Sequence, residues 1–332
     1  MNRGQELMND CRYSLELADG SVWVFAATEG VSSWLHELAR IMELRPAREK
    51  GTHQICFSGT GDLEASNPPG TIQNKPADKD GWRPYRNGGI YRIWRHETIP
   101  AVHMELNEVF VAHPEIRYIN MWSALREIHR HTLRAGGTPM HAALGAHHGR
   151  GVLIAAPGET GKSTCCRRLP GGRWQALCDD QALVLRDRNG GFRAHPFPTW
   201  SDHLWRESKK SWAVERSVAL SAIFFLEQAS TDKAVPFNDP AEAVLSVFGA
   251  AKQVWEPYWE RMSSDEKMKA SSTLFHNASE MAAAVPCFRL SATLDGEFWK
   301  EMEEALERKV TSPHNADLLP CRYGSRTSCP GR

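Results

Sequence analysis

The segment Ala156-Pro157-Gly158-Glu159-Thr160-Gly161-Lys162-Ser163-Thr164 restricts the fold of this chain more than any other feature. An apolar run, GVLIAA over 151–156, leads into it, and a short helical pattern follows. Buried strand, glycine-bearing loop and helix in that order make a phosphate-binding loop, here with Ala156 where the first glycine usually stands. Gly158 and Gly161 let the backbone curl so that successive N–H groups point at phosphate oxygens. The helix opening near Lys162 turns its positive end to the same place. Lys162 reaches the β- and γ-phosphates as a point charge, and the Ser163 hydroxyl is placed to ligate Mg²⁺. Glu159 is the awkward member: a carboxylate in a phosphate cradle repels unless it points outward.

Downstream, Asp179-Asp180 interrupts the apolar stretch WQALCDDQALVL, which reads as one strand. Two carboxylates at a strand end near such a loop suit a metal ion and a proton acceptor. Strand neighbours face opposite sides, so one Asp approaches the loop while the other turns away unless the backbone bends.

The rest of the chain reads as two domains, 1–137 and 138–308, with a disordered tail at 309–332. Residues 12–27 form a hairpin around Asp19-Gly20. WLHELARIMEL is an amphipathic helix, with Ser32 or Ser33 as its cap. Residues 58–90, rich in Gly, Pro, Asn and Lys, read as a loop insertion. Strands follow, then one helix, NMWSALREIHRHTLRAGG, closed by Gly136-Gly137. From Met140 the pattern is α/β: SAIFFLEQ and CFRLSATL as strands, with two acidic-capped helices between them and a last helix from Gly296.

Forty basic residues balance forty acidic ones among 332. The balance gives no push toward nucleic acid or an anionic membrane. The eight cysteines show no CxxC pairing, which excludes a zinc ribbon or a disulfide framework and suits a reducing compartment. No apolar signal region and no 18-residue apolar run occur, so the expectation is a cytoplasmic chain without a membrane span.

The order histidine, strand, GKS/T loop, Asp-Asp resembles HPr kinase/phosphorylase and its relatives. His141 lies fifteen residues before Ala156, and Lys162 seventeen before Asp179. The resemblance implies an α/β fold, with a P-loop core of the HPr kinase/phosphoenolpyruvate-carboxykinase-like type and an N-terminal α+β domain. It implies Asp179 as the acid/base, His141 as its partner, and Lys162 on the phosphates of ATP or another nucleoside triphosphate. Ser163 and Asp180 would then stand at Mg²⁺. YSLELADGSVWVF, HPFPTWSD, SAIFFLEQ and DGEFW are similar, more narrowly, to the HPr-kinase-like family of SynChlorMet cassettes. That likeness implies a peptide or small-protein phosphate acceptor, radical SAM cassette proteins as partners, and a place in ribosomal peptide biosynthesis. It leaves room for a homo-oligomer. The LEIRGLG-type and PGRN-type segments of true HPr kinases are absent, so HPr as substrate, the phosphorylase reaction and a catalytic arginine do not carry over. Asp202 is only a positional candidate for a further metal-side acid.

HPFPTWSDHLWRESKKSW packs three tryptophans with basic residues. It reads either as a lid or peptide-binding loop, with Arg206, Lys209, Lys210 and Arg216 near the transferred phosphate, or as aromatic packing. Two other classes of function stay open: a nucleotide-binding scaffold without turnover, and an NTPase that switches a partner. The N-terminal domain is expected to take a peptide or partner along a sheet edge.

Overall fold

The computed structural model describes residues 11–60, 82–88, 91–96, 98–107, 113–206, 208–259 and 262–308. The tail expected to be disordered lies outside them.

The hairpin at the start forms as its Asp-Gly turn demands. β1 (Arg12–Glu16) and β2 (Val22–Ala27) pair antiparallel, and Gly20 takes φ +84° in the turn. Asp19 fixes that turn by accepting from the Ser21 backbone N–H and hydroxyl. Helix α1 (Ser32–Met42) follows, burying Trp34, Leu35, Leu38, Ile41 and Met42, the stripe its spacing predicts. Neither serine caps it. Val31 holds the cap position, and the Ser32 hydroxyl donates to the Glu29 carbonyl. The chain returns through β3 (Arg45–Pro46) to β4 (His53–Thr60), which lies parallel to β2.

Segment 58–90 is not all loop. It holds the end of β4 and a strand, β5 (Trp82–Gly88), paired antiparallel with β6 (Tyr91–His96). Proline hides such a strand from the sequence, because it cannot donate to a ladder. Here Pro84 stands beside a register shift, on the last strand of the sheet, where a missing donor is tolerated. With β7 (Ala101–Asn107) the first sheet runs β3-β1-β2-β4-β7-β6-β5.

The expected single helix after this sheet is two. α2 (Pro114–Ala124) and α3 (Arg126–Arg134) meet at Leu125. Pro114 opens α2, and Gly136 at φ +77° follows the end of α3.

The second sheet takes its strands from residues 138–292. These are β8 (Thr138–Met140), β9 (Ala142–His147), β10 (Arg150–Ala155), β11 (Trp174–Cys178), β12 (Gln181–Arg186), β13 (Phe192–Phe197), β14 (Val218–Gln228), β15 (Lys233–Pro236) and β16 (Cys287–Ala292). The path is β11-β9-β10-β14-β13-β12-β8, with β16 on β14 and β15 on β16. β10, β14 and β16 are parallel neighbours. Helix α4 (Lys162–Arg168) follows the glycine-bearing loop, and α5 (Trp200–Trp205) follows β13. Helices α6 (Pro240–Trp259), α7 (Ser264–Ala284) and α8 (Phe298–Glu307) complete the domain.

β10 and β14 are apolar throughout because both their faces are covered. Val152 and Ile154, with Ala222, Phe224 and Leu226, join a core under α4 and α8. Leu153, Ala155 and Ile223 join a larger core that continues into the first sheet and α1. Polar ties cross the same boundary. The Ala18 N–H donates to His195 Nε2 (3.1 Å), and the Trp212 N–H donates to the Ile41 carbonyl (2.8 Å).

The stretch WQALCDDQALVL is two strands rather than one. β11 pairs with β9, whereas β12 pairs with β13 and β8. The break falls at Asp179-Asp180. A continuous strand would send one of the two carboxylates into an apolar face. The bend leaves both partly exposed.

Candidate functional site

β10 delivers the chain to the loop at Ala156. Glu159 (φ +63°) and Gly161 (φ +114°) both take left-handed backbone, which turns the loop back toward α4. Glu159 is exposed, so its carboxylate has water available. A Cβ on Gly158 would meet no atom within 4 Å, so the loop keeps open space on that side. The Thr160 hydroxyl donates to the Pro157 carbonyl at 3.0 Å. From the end of β14, Gln228 Nε2 donates to the Thr160 carbonyl at 3.2 Å.

Lys162 is buried at 6 % exposure, and its Nζ donates to the carbonyls of Ala156 (2.9 Å) and Pro157 (3.0 Å). Burial lowers its pKa, while the charges of Asp180 and Asp179 act to raise it. The two acids therefore lie within electrostatic reach of the loop lysine, as the spacing predicts. Ser163 and Thr164 open α4, both half-buried.

His141 Nε2 stands 3.3 Å from Asp180 Oδ1. The pairing expected from the family was with Asp179, and the bend at the strand break explains the exchange. Asp179 instead accepts from the Thr199 hydroxyl at 2.8 Å. Thr199 holds the cap position of α5, yet its side chain caps nothing and serves the carboxylate. Asp202 pairs with Lys210 at 2.5 Å, and Arg216 donates to Gln175 Oε1 at 2.6 Å. Two of the four cations considered for the transferred phosphate, and the candidate acid Asp202, thus have protein partners. Trp200 and Trp212 are buried in packing, whereas Trp205 is 76 % exposed.

Beside Asp180 and His141 opens a cleft of about 220 Å³, walled by Trp122 from α2, Trp200 and Leu204 from α5, and Pro257 from α6. Gln181 also lines it. Behind the cleft, Gln181 Nε2 donates to His129 Nε2 (3.1 Å), and His129 Nδ1 donates to the Tyr258 hydroxyl (2.9 Å). Burial takes His129 down to about 3, so the ring is neutral, as this chain of bonds requires. Thr199, Gln181 and Trp122 were not singled out as site residues in the sequence. Thr199 lies inside HPFPTWSD, a segment whose signal in the sequence was its family likeness and its tryptophans rather than this hydroxyl.

Among the described residues no three His, Cys, Asp or Glu side chains group to hold a metal by themselves. A magnesium ion is ordinarily held by one or two carboxylates together with substrate phosphates. Ser163 with one carboxylate of the pair is therefore a fitting partial set. No helix among the described residues is long and apolar enough to cross a membrane.

Comparison with curated proteins finds no match. Comparison with protein-family models matches residues 105–307, a span that takes in the loop, both aspartates, His141 and the cleft, to the SynChlorMet cassette protein ScmC. That match covers more than half of the chain, which therefore belongs to the ScmC family of SynChlorMet cassette proteins.

Proposed function

We propose that this protein is a kinase that transfers the γ-phosphoryl group of ATP, or of another nucleoside triphosphate, to a hydroxyl on a peptide or small protein. The observation that carries the reading is the convergence of Lys162, on its glycine-bearing loop, with the carboxylates of Asp179 and Asp180. A loop that only tightens a turn has no use for a buried ammonium within electrostatic reach of an acid pair.

The loop N–H groups and Lys162 hold the phosphates and offset their charge. Ser163 and Asp179 would hold magnesium, with the Thr199 hydroxyl keeping the carboxylate in place. Bound there, the ion would offset negative charge on the transferred phosphate. Asp180, next to His141 and open to the cleft, takes the proton of the acceptor hydroxyl. The acceptor oxygen bonds to the γ-phosphorus while the bond to the β–γ bridging oxygen breaks, and the nucleoside diphosphate leaves. This division of the two acids reverses the one implied by HPr kinases, and the new partner of His141 is the reason. Membership in a cassette family supports a peptide acceptor and radical SAM cassette proteins as partners.

The test is transfer of label from γ-labelled ATP, with magnesium, to the precursor peptide of the cassette. Label should appear on the peptide and fall at least a hundredfold in Lys162→Ala. Tight nucleotide binding without transfer to any hydroxyl would overturn the kinase reading. It would favour the scaffold reading, to which Ala156 and Glu159 in the loop already lend support. Release of free phosphate alone would favour an NTPase switch.

A further inference from the structure

The cleft beside Asp180 has a chemistry of its own. Its walls are Trp122, Trp200, Leu204 and Pro257, and Asp180 is its one carboxylate; neither Lys nor Arg lines it. Phosphates would find no lysine or arginine there. Its volume, about 220 Å³, falls below the roughly 300–1,000 Å³ of clefts that enclose a whole small-molecule ligand. It suits one side chain of a ligand whose remainder lies outside.

The walls are built in advance. The Arg126 guanidinium lies 5.1 Å from the centre of the Trp122 ring and 4.4 Å from that of Tyr258, fixing the indole in place. Gln181 is held by His129. Trp200 is 6 % exposed, and its indole N–H is buried without a hydrogen-bond partner.

We infer that this cleft is an anchor for an uncharged apolar side chain next to the acceptor hydroxyl, so that the substrate is a peptide with a Ser or Thr flanked by a large apolar residue. A basic neighbour would pair with Asp180 and so occupy the carboxylate that is to take the acceptor's proton. An acidic one would also face Asp180. The inference rests on the kinase reading for its site, but its binding step does not require turnover.

The experiment offers capped peptides of the form Gly-X-Ser-X-Gly, with X as Phe, Leu, Ala, Glu or Lys. Transfer from labelled ATP and binding by calorimetry are measured on the same set. The Phe and Leu peptides should be preferred by about tenfold or more over Glu and Lys, the effect that burying one apolar side chain supplies. Leu204→Lys and Trp122→Ala should each erase that preference while the nucleotide Kd is unchanged. Leu204 is only half-buried, so its variant is expected to fold even where Trp122→Ala does not. Transfer without preference among the peptides overturns the anchor and leaves the kinase standing. Selective binding of the Phe and Leu peptides without transfer keeps the anchor and overturns the kinase. Neither binding nor transfer overturns both.

Discussion

Asp179 and Asp180 are neighbours in sequence with different surroundings. Asp179 is tied to the hydroxyl of Thr199, itself only 4 % exposed, whereas Asp180 has His141 beside it and the cleft in front. A carboxylate held by a fixed donor is suited to a metal, which needs a set geometry. One beside an imidazole and open to a ligand is suited to moving a proton. Asp180→Asn should therefore lower transfer at least a hundredfold, in the range of a lost general base, with nucleotide affinity unchanged. Asp179→Asn should raise the magnesium concentration needed for half-maximal nucleotide binding, and Thr199→Val should do the same more weakly. Calorimetry at graded magnesium, alongside labelled transfer, separates the two carboxylates. A magnesium defect in Asp180→Asn but not in Asp179→Asn would restore the roles the family implies.

At the scale of elements, β14 organises the second sheet. It lies parallel to β10 along one edge, while the other edge is divided between β13 at Val218–Ala219 and β16 from Ile223 onward. Its terminal Gln228 also holds the loop at Thr160. Phe224 is fully buried at its middle, with its ring stacked on Phe288 at 5.0 Å. Phe224→Ala should cost about 3–5 kcal/mol of unfolding free energy, measured by urea titration. A loss under about 1 kcal/mol would mean that the strand is not central to this core. β10 and β14 were plain in the sequence because continuous apolar runs are what doubly covered strands require. The helices with regular stripes or acidic first turns were equally plain. The break at Asp179-Asp180 was hidden because apolar residues continue on both sides and periodicity cannot register a change of partner. β5 was hidden by its proline and its terminal glycine. At the site, the glycine-bearing loop and the acid pair were legible because each is a local pattern, whereas His141 came only with the family resemblance, and its partner is Asp180 rather than Asp179. The His129–Gln181 bond, the Thr199–Asp179 bond and the Trp122 wall join residues far apart in the chain, and no spacing rule reaches them.

Across the whole molecule, buried histidines join the pieces, and they make stability depend on pH. His195 bonds to Ala18 and Val214, and His129 joins α3 to Gln181 and Tyr258. Both are almost fully enclosed. Burial takes His195 down to about 4, against a raising effect from the Val214 carbonyl, and takes His129 to about 3. In the unfolded chain each titrates near about 6.5. Below that value the unfolded chain binds protons that the folded chain refuses, so acid favours unfolding. Each histidine then removes about 1.4 kcal/mol per pH unit, so the pair removes about 2.7 kcal/mol per unit between roughly 6.5 and about 4. Asp19 cannot produce a loss in that window. Burial acts to raise its carboxyl, but hydrogen bonds from His131 and Ser21 bring it to about 2, so its contribution is lost only as pH falls below the ordinary carboxylate range. Urea titrations at successive pH values should show the steep fall, and His129→Gln should make its slope shallower. Because one hydrophobic core spans both sheets, the fall should appear in a single cooperative transition. Two separate transitions, or a slope indifferent to His129, would mean that the domains do not share their stability through these buried rings.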